Sequence, residues 1–544
     1  MINEAKRLNY MTRFSAQHIP YTQTKAFSSI VTDYVANATA LQPFYLYQPD
    51  LDGIKNAIIQ RKSFSTNRSV LVNQLKAQYE AVQQNEKIAG NINSLLQENT
   101  FTITTAHQPN IFTGHLYFVY KILHAIKLAE TLTEQIPDCN FVPVYYMGSE
   151  DADLEELGEV TINGKKYIWE TTQAGAVGRM KVDKAFIALM DAIEGQLLAE
   201  PFGKHIMAKV RNAYTINKTI EQATFELVHD LFAAYGLLIL LPDNAGLKHE
   251  FAPIIRKELQ EQFSNKAVTE TMSSFPAAYK VQAAGRELNL FYLNEDSRER
   301  IEKVNGQWLI VNSTVRFDDS AILEELKNYP ERFSPNVILR PVYQEWILPN
   351  IAFIGGGGEL AYWLELKKVF EASGVPYPVL VLRNSFMLIN KKVATKINSL
   401  QINITEFFKP VHVLMLQLVK QSSSLKLELS EEKQQLEVLY QKIKQDAAAV
   451  DITLQQHTEA LFTVANKKLE KLEKKMLLAE KHKFEAQQRQ VEKIKASLFP
   501  WDNLQERVDN IMPYYAIYGP EFLQALYENS NGLQQDFCIL TETD

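Results

Sequence analysis

Residues 101–132, FTITTAHQPNIFTGHLYFVYKILHAIKLAETL, and 141–156, FVPVYYMGSEDADLEE, read together as a strand, a loop, a helix and a second strand. Phe101, Ile103 and Thr105 alternate with Thr102 and Thr104, a period of two that stops at Ala106-His107-Gln108-Pro109-Asn110. After Thr113-Gly114, the residues Leu116, Val119, Tyr120, Leu123, Ile126 and Ala129 recur at helical spacing, and no proline intervenes before Pro137. The run Phe141 to Met147 is apolar on both faces, as a buried parallel strand requires, and ends in Ser149-Glu150-Asp151-Ala152-Asp153. Such a β-α-β crossover brings His107, Gln108, Asn110, Asp151 and Asp153 to the carboxyl ends of two strands. Open α/β sheets bind ligands at that edge, beside a helix N-terminus. An imidazole there can orient an anion or move a proton, and clustered carboxylates can bind an ammonium group, coordinate Mg²⁺ or serve as a base toward an amine. The local pattern equally fits a loop histidine bonded to backbone and an acidic helix start favoured by the helix dipole.

Outward from this unit, residues 1–100 read as a mostly helical segment packing on the core, with Asn67 as the cap of a helix whose inner face carries Val70, Leu71, Leu75 and Tyr79. Asn163-Gly164 between two β-rich runs marks a hairpin, which opens an insertion of hairpin plus helices over 161–236. Leu237 to Leu241 is a short apolar strand, so the core resumes over 237–269. A second insertion, 270–335, holds strands near 288–293 and 307–311 joined through a charged loop containing Asn305-Gly306. Residues 336–390 form the second half of the core. There Arg340 and Gln344 precede the strand Ile351–Ile354, which runs into Gly355-Gly356-Gly357-Gly358-Glu359 and a helix. Four glycines let a backbone turn tightly and offer N–H groups to an anion, although the run is neither a Walker loop nor a GxGxxG fingerprint. The strand Pro378–Leu382 then delivers Arg383 to the same edge. From 391 to 544 the expectation is a coiled-coil dimerisation domain with a C-terminal tail. Leu425, Leu429, Leu436, Leu439, Ile443 and Val450 space as seam positions, and a second helix over 453–497 is about twice as long as the first. An antiparallel hairpin then leaves half of that helix unpaired, which predicts a partner helix from a second copy.

The 544 residues are 46% hydrophobic and 22% charged, ordinary for a globular protein of several domains. A net charge of −7 gives no basic field, so nucleic acid and anionic membranes are not expected partners. Cys139 and Cys538 are the only cysteines and no apolar run reaches the ~20 residues that span a bilayer, so the cytoplasm is the expected compartment. No ligand spacing marks a metal site.

TTAHQPNIFTGHLYFVYKILHAIKLAETL, VPVYYMGSEDADLEE, SPNVILRPVYQEWILPNIAFIGGGGELAYWLELK and LFPWDNLQERVDN together resemble the bacillithiol biosynthesis cysteine-adding enzyme family, BshC, and the similarity runs over most of the chain. The resemblance implies an α/β fold: a Rossmann-like parallel sheet core, related to the class I synthetase catalytic domain, with insertions and a C-terminal α-helical coiled coil that makes a homodimer. It implies a carbon–nitrogen ligase that joins cysteine, or an activated cysteine donor, to glucosaminyl-malate, with ATP or another nucleotide as the activating cofactor and Mg²⁺ as its candidate counter-ion. On that reading His107, Asp151 and Asp153 are the candidate catalytic residues. Gln108, Asn110, Arg340, Gln344, Gly355, Gly356, Gly357, Gly358, Glu359 and Arg383 are the candidates for binding substrate or nucleotide. Ala106 stands where the family loop has glycine, and Ala152 where its acidic run has histidine. These departures give weight to an alternative, a non-catalytic nucleotide-binding scaffold with a partner-recruiting coiled coil, and a further alternative is a nucleotidyltransferase or ligase acting on another small acid.

Overall fold

The structure, a computed structural model, describes residues 13–282, 285–422 and 428–543. Contacts divide it into two compact units, one running to Leu388 and resuming at Asn503, the other spanning Ile389–Asp502. Among the described residues no helix is long and apolar enough to cross a membrane.

The first unit is built on five parallel strands: β1 (Thr100–His107), β2 (Asn140–Met147), β3 (Leu238–Leu240), β4 (Asn350–Gly355) and β5 (Val379–Leu382), in the order β5-β4-β1-β2-β3. Every residue of β1 is buried, and Thr102 and Thr104 meet this by donating to the Asn350 side-chain oxygen at 3.1 and 2.8 Å. Helix α1 (Leu116–Gln135) links β1 to β2, and its Ala125, Leu128, Ala129 and Leu132 pack with Phe101, Ile103, Ile354 and Val381 in one apolar cluster. Because β2 lies on one side of β1 and β4 on the other, the strand order reverses between β1 and β4. A crevice opens at that switch point, beyond the carboxyl ends.

Around this sheet the local signals decide much. Asn67 caps the helix Arg68–Tyr79 by accepting from the Val70 N–H at 3.3 Å. Asn163 and Gly164, both at positive φ, turn the hairpin Glu159–Ile162 into Lys165–Ile168. The second insertion is a five-stranded antiparallel sheet formed by Leu290–Leu293, Arg298–Val304, Gln307–Ile310, Arg316–Phe317 and Phe333–Pro335. Its Arg298–Val304 strand corrects the expected charged loop: most of the strand is exposed or half-buried, so charge is tolerated on it. Phe14–Pro20, expected within a helical segment, is also a strand. It pairs with Asp536–Glu542, whose other edge meets Ser385–Ile389, and that partner is too distant in sequence to leave a local signal. Thus Asn503 and the residues after it, expected as a tail of the coiled coil, belong by contact to the first unit.

The second unit is helical. Ser430–Val450 and Leu454–Lys481 form an antiparallel hairpin in which Lys433 meets Glu473 at 2.8 Å and Tyr440 meets Phe462 with ring centroids 5.7 Å apart. Leu436 is half-buried, whereas Leu439, Ile443 and Val450 are exposed. Leu425 lies outside the described residues. The expected second helix is interrupted at His482–Phe484, and its last part, Glu485–Leu498, is not unpaired: helices Lys391–Leu400 and Val411–Ser422 cover Val491, Ile494 and Leu498.

Candidate functional site

A cavity of about 850 Å³ occupies the switch point and extends from the ends of β1, β2 and β4 to the inserted antiparallel sheet. Strand β1 delivers His107, which packs edge-on to Tyr117 with centroids 5.3 Å apart and leaves Nε2 buried without a partner. Burial, then the charges of Lys121, His115 and Arg383, holds its pKa well below the ordinary imidazole value. His107 is therefore neutral near pH 7, and what it offers an anion is a hydrogen bond rather than a charge. Lys121, one turn into α1, is buried. It donates to the Ala106 carbonyl at 3.1 Å and pairs with Glu359. Any residue at position 106 supplies that carbonyl, so alanine there keeps the contact.

At the end of β4, none of Gly355 to Gly358 has positive φ. The expected tight-turn role is replaced by a need for space: a Cβ on Gly355 would stand 2.8 Å from Phe353, and one on Gly357 2.9 Å from Val31. Gly356, Gly357, Gly358 and Glu359 line the cavity, while Gly355 accepts the Arg383 N–H at 2.9 Å from behind. Arg383, after β5, is held by Glu506 at 2.7 Å and Ser385 at 3.0 Å.

Helix α2 (Arg340–Ile347) presents Arg340, which donates to the Tyr362 hydroxyl at 2.9 Å and the Gln344 side-chain oxygen at 3.2 Å, and lies over the Tyr146 ring. Gln344 does not line the cavity. Fully buried behind Arg340, it donates in turn to Glu345 at 2.9 Å, whose carboxyl is pushed up to about 7 by burial against the opposing charge of Arg61. From the inserted sheet comes Arg298, stacked on Phe291 and bonded to the Ser334 hydroxyl at 3.0 Å.

After β2, Glu150 is committed to Lys248 and to the Ser334 hydroxyl at 2.7 Å. Asp151 accepts from the Gln108 amide at 3.1 Å and the Asp153 N–H at 3.3 Å, so its bonds are to neutral donors. Asp153 is exposed, lies outside the cavity lining and caps the short helix Leu154–Leu157 through the Glu156 N–H at 3.1 Å. Asn110 is likewise outside: it packs against Gly114 and donates to the Glu156 carbonyl. Sequence reasoning missed Tyr117, Lys121, Arg286, Arg298 and Arg507, all of which line the cavity. Lys121 alone had a local signal, a cation within the apolar first turns of its helix.

Among the described residues, Arg286, Arg298, Arg340 and Arg507 form no ion pair with a carboxylate, whereas Glu150 and Glu359 each have a lysine. The cavity therefore favours an anionic ligand, and Asp151 adds one spot suited to an ammonium group. Among the described residues no cluster of three His, Cys, Asp or Glu side chains could hold a metal ion.

A family model described as the bacillithiol biosynthesis BshC N-terminal Rossmann-like domain matches residues 14–384, and one described as the BshC C-terminal coiled-coil domain matches residues 386–542. The chain is 37% identical to a Flavobacterium johnsoniae protein named "Putative cysteine ligase BshC", over 96% of this chain and 99% of that protein. Proteins of the same name from Flavobacterium psychrophilum, 38% identical over 96% and 98%, and Cytophaga hutchinsonii, 36% identical over 95% and 97%, are similar throughout. A solved Campylobacter jejuni chain described as "putative arginyl t-RNA synthetase" covers 78% of this chain and 99% of its own at 10% identity, with a TM-score of 0.22, too low to carry an argument.

Proposed function

This chain belongs to the bacillithiol biosynthesis BshC family, and on that premise we propose that it is a cysteine ligase joining the carboxyl group of cysteine to the glucosamine amine of glucosaminyl-malate. One observation carries the reading: a cavity in which Arg286, Arg298, Arg340 and Arg507 have no carboxylate partner among the described residues, with a single aspartate bonded only to neutral donors. Glucosaminyl-malate presents the complementary groups, two carboxylates and an amine. Arg340 and Arg298 suit the carboxylates, and Asp151 suits the amine.

A carboxylate does not condense with an amine unaided in water. A nucleotide such as ATP, held in this cavity, would supply the leaving group by activating the cysteine carboxylate; the amine nitrogen would then form the bond to the acyl carbon as the nucleotide's monophosphate departs, and the nitrogen would lose a proton. The residues fit that chemistry in part. Lys121, Arg383 and the Gly356 N–H can hold a phosphate or carboxylate oxygen, and Asp151 can take the proton. The exposed apolar side chains of the helical hairpin, Leu439, Leu461, Val464 and Leu472 among them, support a second copy of the chain as partner.

Calorimetric titration with glucosaminyl-malate tests the reading. The intact protein should bind it saturably, and Arg340→Met should weaken binding at least tenfold while leaving the weak binding of glucosamine unchanged. Equal affinity of wild type and Arg340→Met would remove Arg340 and the cationic cavity from substrate recognition.

A further inference from the structure

One carboxylate oxygen at the switch point has more partners than its local role requires. Glu359 Oε2 accepts the Gly356 N–H at 2.8 Å, the bond that caps helix α3 (Gly357–Leu364), and the same oxygen meets the buried Lys121 ammonium. A capping glutamate needs only the first of these. The Arg383 guanidinium also converges here. Its terminal nitrogens are taken by Glu506, Ser385 and the Asn384 carbonyl, but its Nε is buried without a partner. A Cβ built on Gly356 would lie 3.4 Å from that Nε and 3.5 Å from Glu359 Oε2, so the three groups share one small volume. His107 Nε2, also buried and unpartnered, belongs to the same neighbourhood. Buried donors are rarely left unmatched, and Arg383 and His107 are both more than nine-tenths buried.

We propose that Gly356, Lys121 and Arg383 form an oxyanion subsite for a carboxylate or phosphate group, which Glu359 fills as an internal carboxylate and from which an external anion displaces it. The inference rests on the reading of this cavity as the substrate site and adds how that site is controlled. Charge balances in the exchange: an incoming oxyanion takes over the N–H and ammonium contacts that Glu359 gives up, and reaches the Arg383 Nε as well. Glu359 lines the cavity with its side chain 21% exposed, so it has space to move into. Binding is then a competition, and the internal carboxylate sets a threshold that a weakly held anion does not cross.

Calorimetric titration of the full chain with L-malate and, separately, inorganic phosphate tests the exchange. Removing the internal competitor with Glu359→Gln should tighten binding of at least one anion about tenfold or more. Adding Lys121→Met to that variant should abolish the gain. A gain with malate alone assigns the subsite to a substrate carboxylate, a gain with phosphate alone to a nucleotide, and a gain with both to either oxyanion. If Glu359→Gln binds both anions no more tightly than wild type, or keeps its gain when Lys121 is replaced, the proposal is overturned. Should Glu359→Gln fail to fold, Glu359→Asp keeps the charge at the helix start with a shorter reach, and a gain of the same sign but smaller size is expected. Because the readout is anion binding by purified protein, it fails or succeeds independently of which thiol the cell makes.

Discussion

His124 shows how much one side chain settles. Its Nδ1 accepts the Asn384 N–H at 3.1 Å, so the proton sits on Nε2, which donates to the Gly532 carbonyl at 2.6 Å. Fully buried, the ring has its pKa pushed down to about 4, by burial first, with the Gly532 bond opposing and Arg383 assisting. Above the unfolded value near 6.5 both states are neutral and the full stability is present. As pH falls from about 6.5 towards 4, the unfolded chain takes up a proton that the folded chain refuses, and about 3 kcal/mol is lost. Urea unfolding at pH 7.5 and pH 5 should show about 2 kcal/mol of this loss in the wild type and less in His124→Gln, whose amide can keep both bonds without titrating; an equal loss in the two would contradict the assignment. His107, Asp151, Arg340 and Arg383 were legible as neighbours of one site because each follows a strand end or begins a helix of the core. Asp151 and Asp153 could not be told apart, since only the following turn makes Asp153 a cap. Arg298 was hidden because its place depends on an inserted sheet.

Between β1 and α1 the backbone takes three successive positive φ values, at Phe112, Thr113 and Gly114. For the two residues with a Cβ this costs about 1–2 kcal/mol each, so something must hold them. Asn510 does so: its Nδ2 donates to the Phe112 carbonyl at 2.8 Å and to the Gly114 carbonyl, while its oxygen caps the helix Ile511–Tyr518 through the Met512 N–H at 2.8 Å. Leu116 N–H bonds the Asp509 carbonyl at 2.8 Å, so a segment nearly four hundred residues away in sequence fixes the start of α1 and hence Tyr117 and Lys121. Asn510→Ala should cost about 2–4 kcal/mol from the lost cap and two unmatched carbonyls. Hydrogen exchange at His115–Val119 should rise in the same variant, and unaltered exchange there would separate Asn510 from the loop. Elements of the core were legible from period and apolar runs, because parallel strands buried on both faces leave that mark. The strand Arg298–Val304 was not, because its charges face solvent and its pairing is set by neighbours rather than by its own pattern.

The chain leaves its first unit after Leu388, builds a helical unit, and returns at Asn503 to supply Glu506, Arg507 and Asn510 to the first. Residues flanking the excursion on both sides thus meet within the first unit, where Arg383 pairs with Glu506. The domain pattern was readable because heptad spacing and strand composition differ, whereas the return of the chain was not, since pairing between Phe14–Pro20 and Asp536–Glu542 joins its two ends. What the whole molecule makes is read from the thiols of the cell. The test is mass spectrometry of low-molecular-weight thiols in the source organism with and without this chain, and with Asp151→Asn in its place. Deletion should remove bacillithiol and let glucosaminyl-malate accumulate, and Asp151→Asn should give the same profile. Unchanged bacillithiol on deletion would contradict the ligase reading.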